Sequence, residues 1–373
     1  MFIELHILQS FAPSNLNRDD TNNPKDTEFG GVRRARISSQ AIKRAIRQEP
    51  IFAETTRVAN GVRTRYMARE ISRLLVEVAK KPKEETETIS RAFVEAYLGA
   101  MDKKKPDESE ILVYLSAEEL QEVVNTIVAE WDSLAEGKDG VAKKFADQMV
   151  KKLGEVTSAP DIAMFGRMLA RKPTTVILDA ACQVAHAIST HRVDMDFDFF
   201  TAVDDLQQDE ETGAAMMGVT AFNSACFYRY HRIDWGQLVQ NLEGDAGLAQ
   251  RTVEGFLRSA ARAVPSGKQN SFAAQNPPSF LLAVTRQDGQ SWSLVNAFEK
   301  PVRPEREGGL LFPSIQALDK YWSRLNTAYG NGEQTIPVAL AIDEDAPLNN
   351  LKDSRVASLE AWVAAVLKTL PKE

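Results

Sequence analysis

The sequence predicts an α+β fold in which a body of strands and helices carries two large insertions. Three segments have strand composition, namely residues 2–8, 221–230 and 280–285. Between them lie a segment with helical periodicity, residues 55–153, and an acidic segment without a regular period, residues 192–220. Strands that are separated by helices and by two long excursions favour an α+β body with insertions.

The composition limits the classes of protein to which the chain can belong. The chain has 373 residues, of which 43% are hydrophobic, so it can bury a core and form roughly two to three lobes of about 150 residues each. It has no run of eighteen apolar residues and no export signal, and Cys182 and Cys226 lack metal or redox spacing, so we expect both thiols to be buried. These features indicate a reduced, cytoplasmic protein.

The first strand, residues 2–8, is followed by a polar segment from about Ser10 to Ile37 that we predict to be a long loop. A loop of this length is normally functional. Within it, Gly30 and Gly31 allow the backbone to turn and to approach a ligand closely.

Positive charge is concentrated after this turn, although the formal net charge of the chain is -7. Ser38 or Ser39 is predicted to cap a helix whose apolar stripe packs inward. The free N–H groups of the first turn and the cations off the stripe would then form a phosphate site. A helix with a solvated basic face explains the charges equally well. This basic run, residues 33–47, contains no Asp or Glu and has six basic residues, which are Arg33, Arg34, Arg36, Lys43, Arg44 and Arg47.

The helical segment, residues 55–153, is predicted to be an inserted lobe with breaks at residues 80–87 and 102–110. A second basic cluster near its end is interpreted first as an ordinary surface helix, with attraction of DNA as the alternative; its members are Lys143, Lys144, Lys151 and Lys152. The apolar run from Thr175 to His191 is predicted to be a helix of the core.

The titratable residues give little support for a metal or catalytic site. The alternating aspartates of residues 194–198 resemble the opening of a calcium loop, but the glycine and the final glutamate of such a loop are absent. His186 and His191 are five residues apart and lack a cysteine partner, so we interpret both as structural. Asp19 and Asp20 have no third ligand and are better explained as turn and salt-bridge residues.

The Ser266-Gly267-Lys268 segment resembles a nucleotide-binding loop only superficially. Its first glycine position is occupied by Arg262, and Gln269 stands where a Ser or Thr is required. Lys268 and Gln269 on a Gly/Pro-rich turn instead suit contacts to a sugar-phosphate backbone.

The acidic net charge argues against indiscriminate coating of nucleic acid but permits one basic groove.

Several motifs in fixed order resemble the CasC-type backbone subunit of the type I-E CRISPR surveillance complex Cascade, of the Cas-seven family in the RAMP superfamily. The N-terminal motifs are NLNRDD (residues 15–20) and FGGVRRARISSQAIKRA (29–45). The resemblance continues through DIAMFGRM (161–168), AHAISTHRVDMDFDFFTAVDDLQ (185–207), FYRY (227–230), VPSGKQNSFAAQNP (264–277), NAFEK (296–300) and PSIQALDKYW (313–322).

This resemblance implies a modified RNA-recognition (RRM, ferredoxin-like) fold shaped like a hand. The discontinuous palm would comprise residues 1–58, 156–191 and 221–373, the helical fingers residues 59–155 and the extended thumb residues 192–220. Copies of such a subunit line up head to tail along a CRISPR RNA, and each thumb displaces one nucleotide at a regular interval. The implied partners are CRISPR RNA, other copies of the chain, other Cascade subunits and, through the guide, target DNA.

The resemblance also implies roles for individual residues. Met168 would act as a wedge beside the displaced nucleotide, because an unbranched apolar side chain can follow an irregular gap. Cations and neutral donors suit a track that must hold any spacer sequence. Phe199, Phe200 and Thr201 match the start of the thumb. The phosphate contacts would be Arg18, Lys25, Ser38, Gln40, Lys43, Arg44 and Arg47.

We therefore expect a non-catalytic RNA-binding scaffold of antiviral defence that needs no cofactor. The positions that match best are cations and neutral donors without a histidine among them, and these offer no obvious general base. A metal-dependent CRISPR endoribonuclease of the same superfamily is the alternative. A basic module that binds an acidic protein is a third, weaker candidate.

Overall fold

The computed structural model describes residues 1–98, 101–102, 104–105, 108–136, 140–170, 175–202, 216–287, 289–330 and 335–371. They divide into two compact units. The first comprises Met1–Phe52, Val184–Arg232 and Phe256–Lys372, and the second comprises Ala53–Gln183 and Ile233–Gly255. Among the described residues, no helix combines the length and the apolar composition that crossing a membrane requires.

The elements confirm the predicted α+β class. The strands are β1 (Phe2–Ser14), β2 (Asp26–Phe29), β3 (Val32–Ile37), β4 (Val62–Thr64), β5 (Val113–Leu115), β6 (Arg167–Ala170), β7 (Thr175–Leu178), β8 (Cys182–Val184), β9 (Ala187–Ser189), β10 (Asp196–Ala202), β11 (Met216–Asp234), β12 (Phe280–Arg286) and β13 (Thr335–Ala341). The helices are α1 (Ser39–Gln48), α2 (Pro50–Thr56), α3 (Met67–Glu77), α4 (Lys83–Leu98), α5 (Ala117–Ala129), α6 (Trp131–Ala135), α7 (Val141–Leu153), α8 (Pro160–Phe165), α9 (Trp235–Asn241), α10 (Ala246–Arg262), α11 (Gln269–Phe272), α12 (Leu311–Tyr329) and α13 (Leu359–Leu367).

The main sheet has the strand order β13-β12-β1-β11-β9-β3-β2, and β8 and β10 also pair with β11. The three predicted strands are therefore confirmed as parts of β1, β11 and β12. Strand β1 pairs antiparallel with β12 from Phe2 opposite Arg286 to Leu8 opposite Phe280. One face of this part of the sheet packs on α12 through a core that includes Leu8, Tyr228, Phe280, Leu282, Ile315, Leu318 and Trp322.

The predicted polar loop from Ser10 to Ile37 is wrong over most of its length. Strand β1 continues to Ser14 because Phe11 is buried against Phe227, with ring centroids 5.9 Å apart. Residues 26–37 form the β2–β3 hairpin, in which Phe29 pairs with Val32. The two residues between them, Gly30 and Gly31, have φ of 62° and 71°, as a two-residue hairpin turn of the primed type requires.

A buried arginine holds this hairpin in place. Arg34 is fully buried, and its guanidinium donates hydrogen bonds to four backbone carbonyls. These belong to Phe29 (3.2 Å) at the end of β2, Ser189 (3.1 Å) in β9, and Phe298 (2.7 Å) and Glu299 (3.2 Å), which end a 3₁₀ turn. Three segments that are distant in sequence therefore share one cation.

The predicted helix over Thr175–His191 is also wrong, because this stretch forms β7, β8 and β9. Strand β9 lies between β3 and β11, and all three of its residues are buried. A short strand that is buried on both faces is apolar at successive positions, so its pattern cannot be distinguished from that of a core helix. The thiols of Cys182 and Cys226 are buried, as expected.

The acidic segment, residues 192–220, contains strands that its pattern did not predict. Strand β10 pairs antiparallel with the start of β11, from Asp196 opposite Phe222 to Ala202 opposite Met216. The remainder of this segment, residues 203–215, lies outside the described residues.

In the second unit, α3–α7 confirm the helical pattern of residues 55–153, although α4 begins within the predicted break at residues 80–87. Their shared core contains Ile71, Phe93, Tyr97, Val123, Ile127 and Trp131. The short β4–β5 sheet was not predicted. The palm, fingers and thumb boundaries stay predictions.

The two hairpin glycines provide a matched test of the turn. A Cβ atom on Gly30 would lie 1.8 Å from the Glu299 carbonyl oxygen, whereas a Cβ on Gly31 would meet nothing within 4 Å. We expect Gly31→Ala to cost about 1–2 kcal/mol of unfolding free energy from backbone strain alone. Gly30→Ala adds the clash and should cost about 2–5 kcal/mol. Urea unfolding of both variants measures the difference, and equal losses would contradict the close packing of Gly30 on Glu299.

Candidate nucleic-acid interface

Helix α1 begins where the sequence predicts. Ser38 is its N-cap, and the Ser38 Oγ accepts a hydrogen bond from the Ala41 N–H at 3.3 Å. Ile42 and Ile46 are buried, so the apolar stripe anchors the helix to the first unit. The cap and the stripe together fix which side chains of α1 face solvent.

The first turn of α1 differs from the predicted phosphate site. The Ser38 N–H donates to Asn17 Oδ1 at 2.8 Å, the Ser39 N–H donates to His186 Nδ1 at 2.9 Å, and the Ala41 N–H is taken by the cap. These three donors are used within the protein, so the prediction of free N–H groups is wrong for them. An anion at this end must be bound largely by side chains.

The side chains of α1 form two polar stripes. Lys43 and Arg47, four residues apart, are half-buried on one flank. Gln40, Arg44 and Gln48 repeat at the same interval and are exposed. The exposed stripe presents one cation between two amides, a combination that suits contacts to phosphate and sugar.

A cleft of about 640 Å³ lies beside Arg44 and Gln48 within the first unit. Its walls come from three segments: residues 16–20 with Asn22, one side of α1 from Ala41 to the following Glu49, and residues 264–267. Arg18 lies at this cleft, and its Nη1 donates to Asn22 Oδ1 at 2.7 Å. The predicted contacts Arg18 and Arg44 are thus brought together.

The polar segment before β2 is ordered by its own side chains. The Asp19 carboxylate accepts hydrogen bonds from the N–H and hydroxyl of Thr21 and from the Asn23 N–H. The hydrogen bond from the Thr21 side chain is the main cause that lowers the pKa of Asp19. Asp19 is therefore a turn residue, as predicted. Lys25 follows, and its N–H donates to the Asn17 carbonyl at 2.9 Å.

The turn at residues 265–269 packs on the end of β1. A Cβ on Gly267 would lie 2.2 Å from the Leu16 carbonyl oxygen. The Gln269 amide donates to the carbonyls of Pro265 (3.0 Å) and Ala274 (3.3 Å), and Lys268 Nζ donates to Thr220 Oγ1 at 3.2 Å. Both side chains thus order this turn, and contact of either with RNA stays a prediction.

The β10–β11 ribbon has one apolar and one acidic face. Phe199 (64% exposed) lies opposite Val219, and Thr201 lies opposite Met217. Phe200 (39% exposed) points to the other side because side chains alternate along a strand. Its ring covers Gly218, where a Cβ would be 2.4 Å from the ring. The apolar face also includes Phe197, and the face with Phe200 carries Asp196 and Asp198.

Met168 lies in the second unit, on the β6–β7 hairpin, and is 67% exposed. Its cross-strand partner is Ile177, which is 55% exposed and which the sequence did not single out. The preceding residue, Arg167, points inward and forms a buried ion pair with Glu119 at 2.7 Å. The hairpin therefore presents an apolar pair on an anchored base.

The lysine cluster of the second unit lies on α7, where Lys143, Lys144 and Lys151 are exposed. The side chain of Lys152 lies outside the described residues. Asp147 is exposed on the same helix, so the face is not uniformly basic. These residues are not in the same unit as α1.

Half of the basic run belongs to the hairpin. Arg33 pairs with Asp26, Arg36 Nε donates to the Asp26 carbonyl at 3.1 Å, and Arg34 is the buried clamp. The predicted contacts that belong to the first unit are Arg18, Lys25, Ser38, Gln40, Lys43, Arg44, Arg47, Phe199, Phe200, Thr201, Lys268 and Gln269. Within the part of the chain that the structure describes, no group of three or more His, Cys, Asp or Glu side chains could hold a metal ion.

The chain is similar to known proteins over nearly its whole length. A chain of a structure described as "CRISPR RNA-guided surveillance complex, pre-nicking" is 30% identical with a TM-score of 0.86, over 99% of this chain and 100% of that one. A chain of a "CRISPR RNA-guided surveillance complex" is 25% identical with a TM-score of 0.77 over the same shares. No curated protein matches. The family model described as CT1975-like protein matches residues 3–365, and the protein therefore belongs to this family.

Proposed function

We propose that the protein is a non-catalytic scaffold that binds CRISPR RNA and oligomerises along it in a Cascade-type effector complex. The observation that carries this proposal is the full-length structural similarity to chains of CRISPR RNA-guided surveillance complexes. The CasC-like motifs favour a type I-E complex, which acts in the prokaryotic cytoplasm in antiviral defence. Base pairing by the guide then supplies the sequence specificity.

The charge distribution supports a phosphate track at α1. Lys43, Arg44 and Arg47 are presented on a helix of an otherwise acidic chain. Such donors bind the backbone of any guide, while negative charge elsewhere limits stray binding. Ser38 caps the helix, so its contribution to RNA binding would come in addition to that structural role.

Two exposed apolar surfaces support a role in nucleotide displacement and contact between copies. The Met168–Ile177 pair offers a wedge beside an unstacked base. The apolar face of the β10–β11 ribbon, with Phe199 and Thr201, offers a surface for a base or for the next copy. The exposed lysines of α7 would attract target DNA without sequence preference.

The function is tested with CRISPR RNAs of increasing spacer length. Mass measurement in EDTA should show protein copies that increase stepwise with length on intact RNA, because each copy occupies a fixed number of nucleotides. A fixed stoichiometry at all lengths would contradict the scaffold. Cleavage of the RNA when magnesium replaces EDTA would favour the endoribonuclease of the same superfamily instead.

The phosphate track is tested by Lys43→Ala and Arg47→Ala, with Lys320→Ala, an exposed lysine of α12, as the control for loss of charge. The two track variants should weaken RNA binding equally for all spacer sequences. They should also reduce the slope of log K against log salt by about 0.7 per lost contact. Titrations at several salt concentrations measure both effects. Loss of affinity for one sequence only would contradict backbone recognition.

The wedge is tested by Met168→Asp with Met168→Leu as the apolar control. Because Met168 is exposed, neither change should alter the unfolding temperature. The aspartate should abolish the periodic hypersensitivity of bound RNA in a nuclease footprint, and the leucine should retain it. An unchanged footprint of Met168→Asp would remove Met168 from the displacement step.

A further inference from the structure

His186 lies beside the start of α1 in a way that its spacing did not predict. It precedes β9, whose register with β3 places Arg36 opposite Ile188 and Ile37 opposite Ala187, the residue next to His186. Its ring is exposed. The Nδ1 atom accepts the hydrogen bond from the Ser39 N–H at 2.9 Å.

This hydrogen bond determines the tautomer of the ring. Nδ1 accepts a hydrogen bond and therefore carries no hydrogen itself. The neutral imidazole then has its hydrogen on Nε2. Burial is the main cause that lowers the pKa of His186, and the positive charges of Arg36 and Lys25 lower it further. A lowered pKa favours the neutral ring, in which Nε2 carries the one N–H donor.

The surroundings of this donor favour an anion. Lys25, the residue before β2, lies beside Arg36 of β3, whose N–H donates to the Lys25 carbonyl at 2.9 Å. Both cations are close enough to His186 to influence its pKa, and both are half-buried. Gln40 and Lys43 follow Ser39 on α1. An N–H donor on an exposed ring near Lys25 and Arg36 suits a phosphate oxygen.

We infer that His186 is a further contact of the phosphate track, which donates its Nε2–H to a phosphate of the bound RNA. The inference rests on the proposed RNA-binding function. It gives the histidine two partners at once: the Ser39 N–H fixes the orientation of the ring from one side, and the phosphate accepts from the other. A neutral donor adds a hydrogen bond without adding charge, so it holds the backbone without strengthening non-specific attraction at a distance.

Two substitutions separate this role from that of a helix cap. An asparagine carbonyl can replace Nδ1 as the acceptor for Ser39 but cannot reach the phosphate, whereas a glutamine amide can replace the Nε2–H donor but not the cap. His186→Asn should weaken RNA binding about 3- to 10-fold, the value of one hydrogen bond, with an unchanged unfolding temperature. His186→Gln should bind RNA within about twofold of the wild type even if its unfolding temperature falls.

The salt dependence provides an independent readout. His186→Asn should keep the wild-type slope of log K against log salt, because a neutral donor releases no counterion, whereas Lys43→Ala lowers the slope. If His186→Asn binds RNA normally and His186→Gln binds it weakly, His186 acts only as the acceptor for the Ser39 N–H, and the inference is overturned. A reduced slope in His186→Asn would indicate a charged imidazolium and overturn the neutral contact. Failure of the wild type to bind any RNA would instead reject the proposed function itself.

Discussion

The arrangement of the first unit depends on the buried guanidinium of Arg34. A buried cation is tolerated only where its donors are satisfied, and here four carbonyls from β2, β9 and the 3₁₀ turn accept from it. Desolvation is the main cause that lowers the pKa of Arg34. The same hairpin turns at Gly30, whose contact with Glu299 leaves no room for a side chain. Strand β3 is thereby fixed, and with it the start of α1 two residues later.

The basic run serves two purposes that are separated by secondary structure. On β3, Arg33 is exposed, Arg34 is buried and Arg36 is half-buried, and these arginines bind carbonyls or Asp26. On α1, cations lie off a buried Ile42–Ile46 stripe and remain near the surface. The number of basic residues in the run therefore overstates the charge that is available to a ligand, because the arginines of β3 already bind groups of the protein.

Backbone donors at the start of α1 are used within the protein, so the candidate interface differs from a simple anion site at a helix N-terminus. Asn17 and His186 take backbone donors of the first turn, which fixes α1 while leaving side chains to meet the ligand. In the β10–β11 ribbon, alternation separates Phe199 from Phe200, and Gly218 provides the space under the Phe200 ring. The Met168 hairpin is anchored by the buried pair of Arg167 and Glu119.

The sequence by itself determined the features that depend on neighbouring residues: a helix cap at Ser38 or Ser39, the stripe of α1, the glycine turn, the helices of residues 55–153 and the CasC-like motifs. Only the tertiary structure decided the strands within residues 175–191, the burial of Arg34 and the location of His186. The reason is physical, because capping and periodicity are set within a few residues. Solvent exposure and hydrogen-bond partners are set by segments as far apart as Ser39 and His186, 147 residues along the chain.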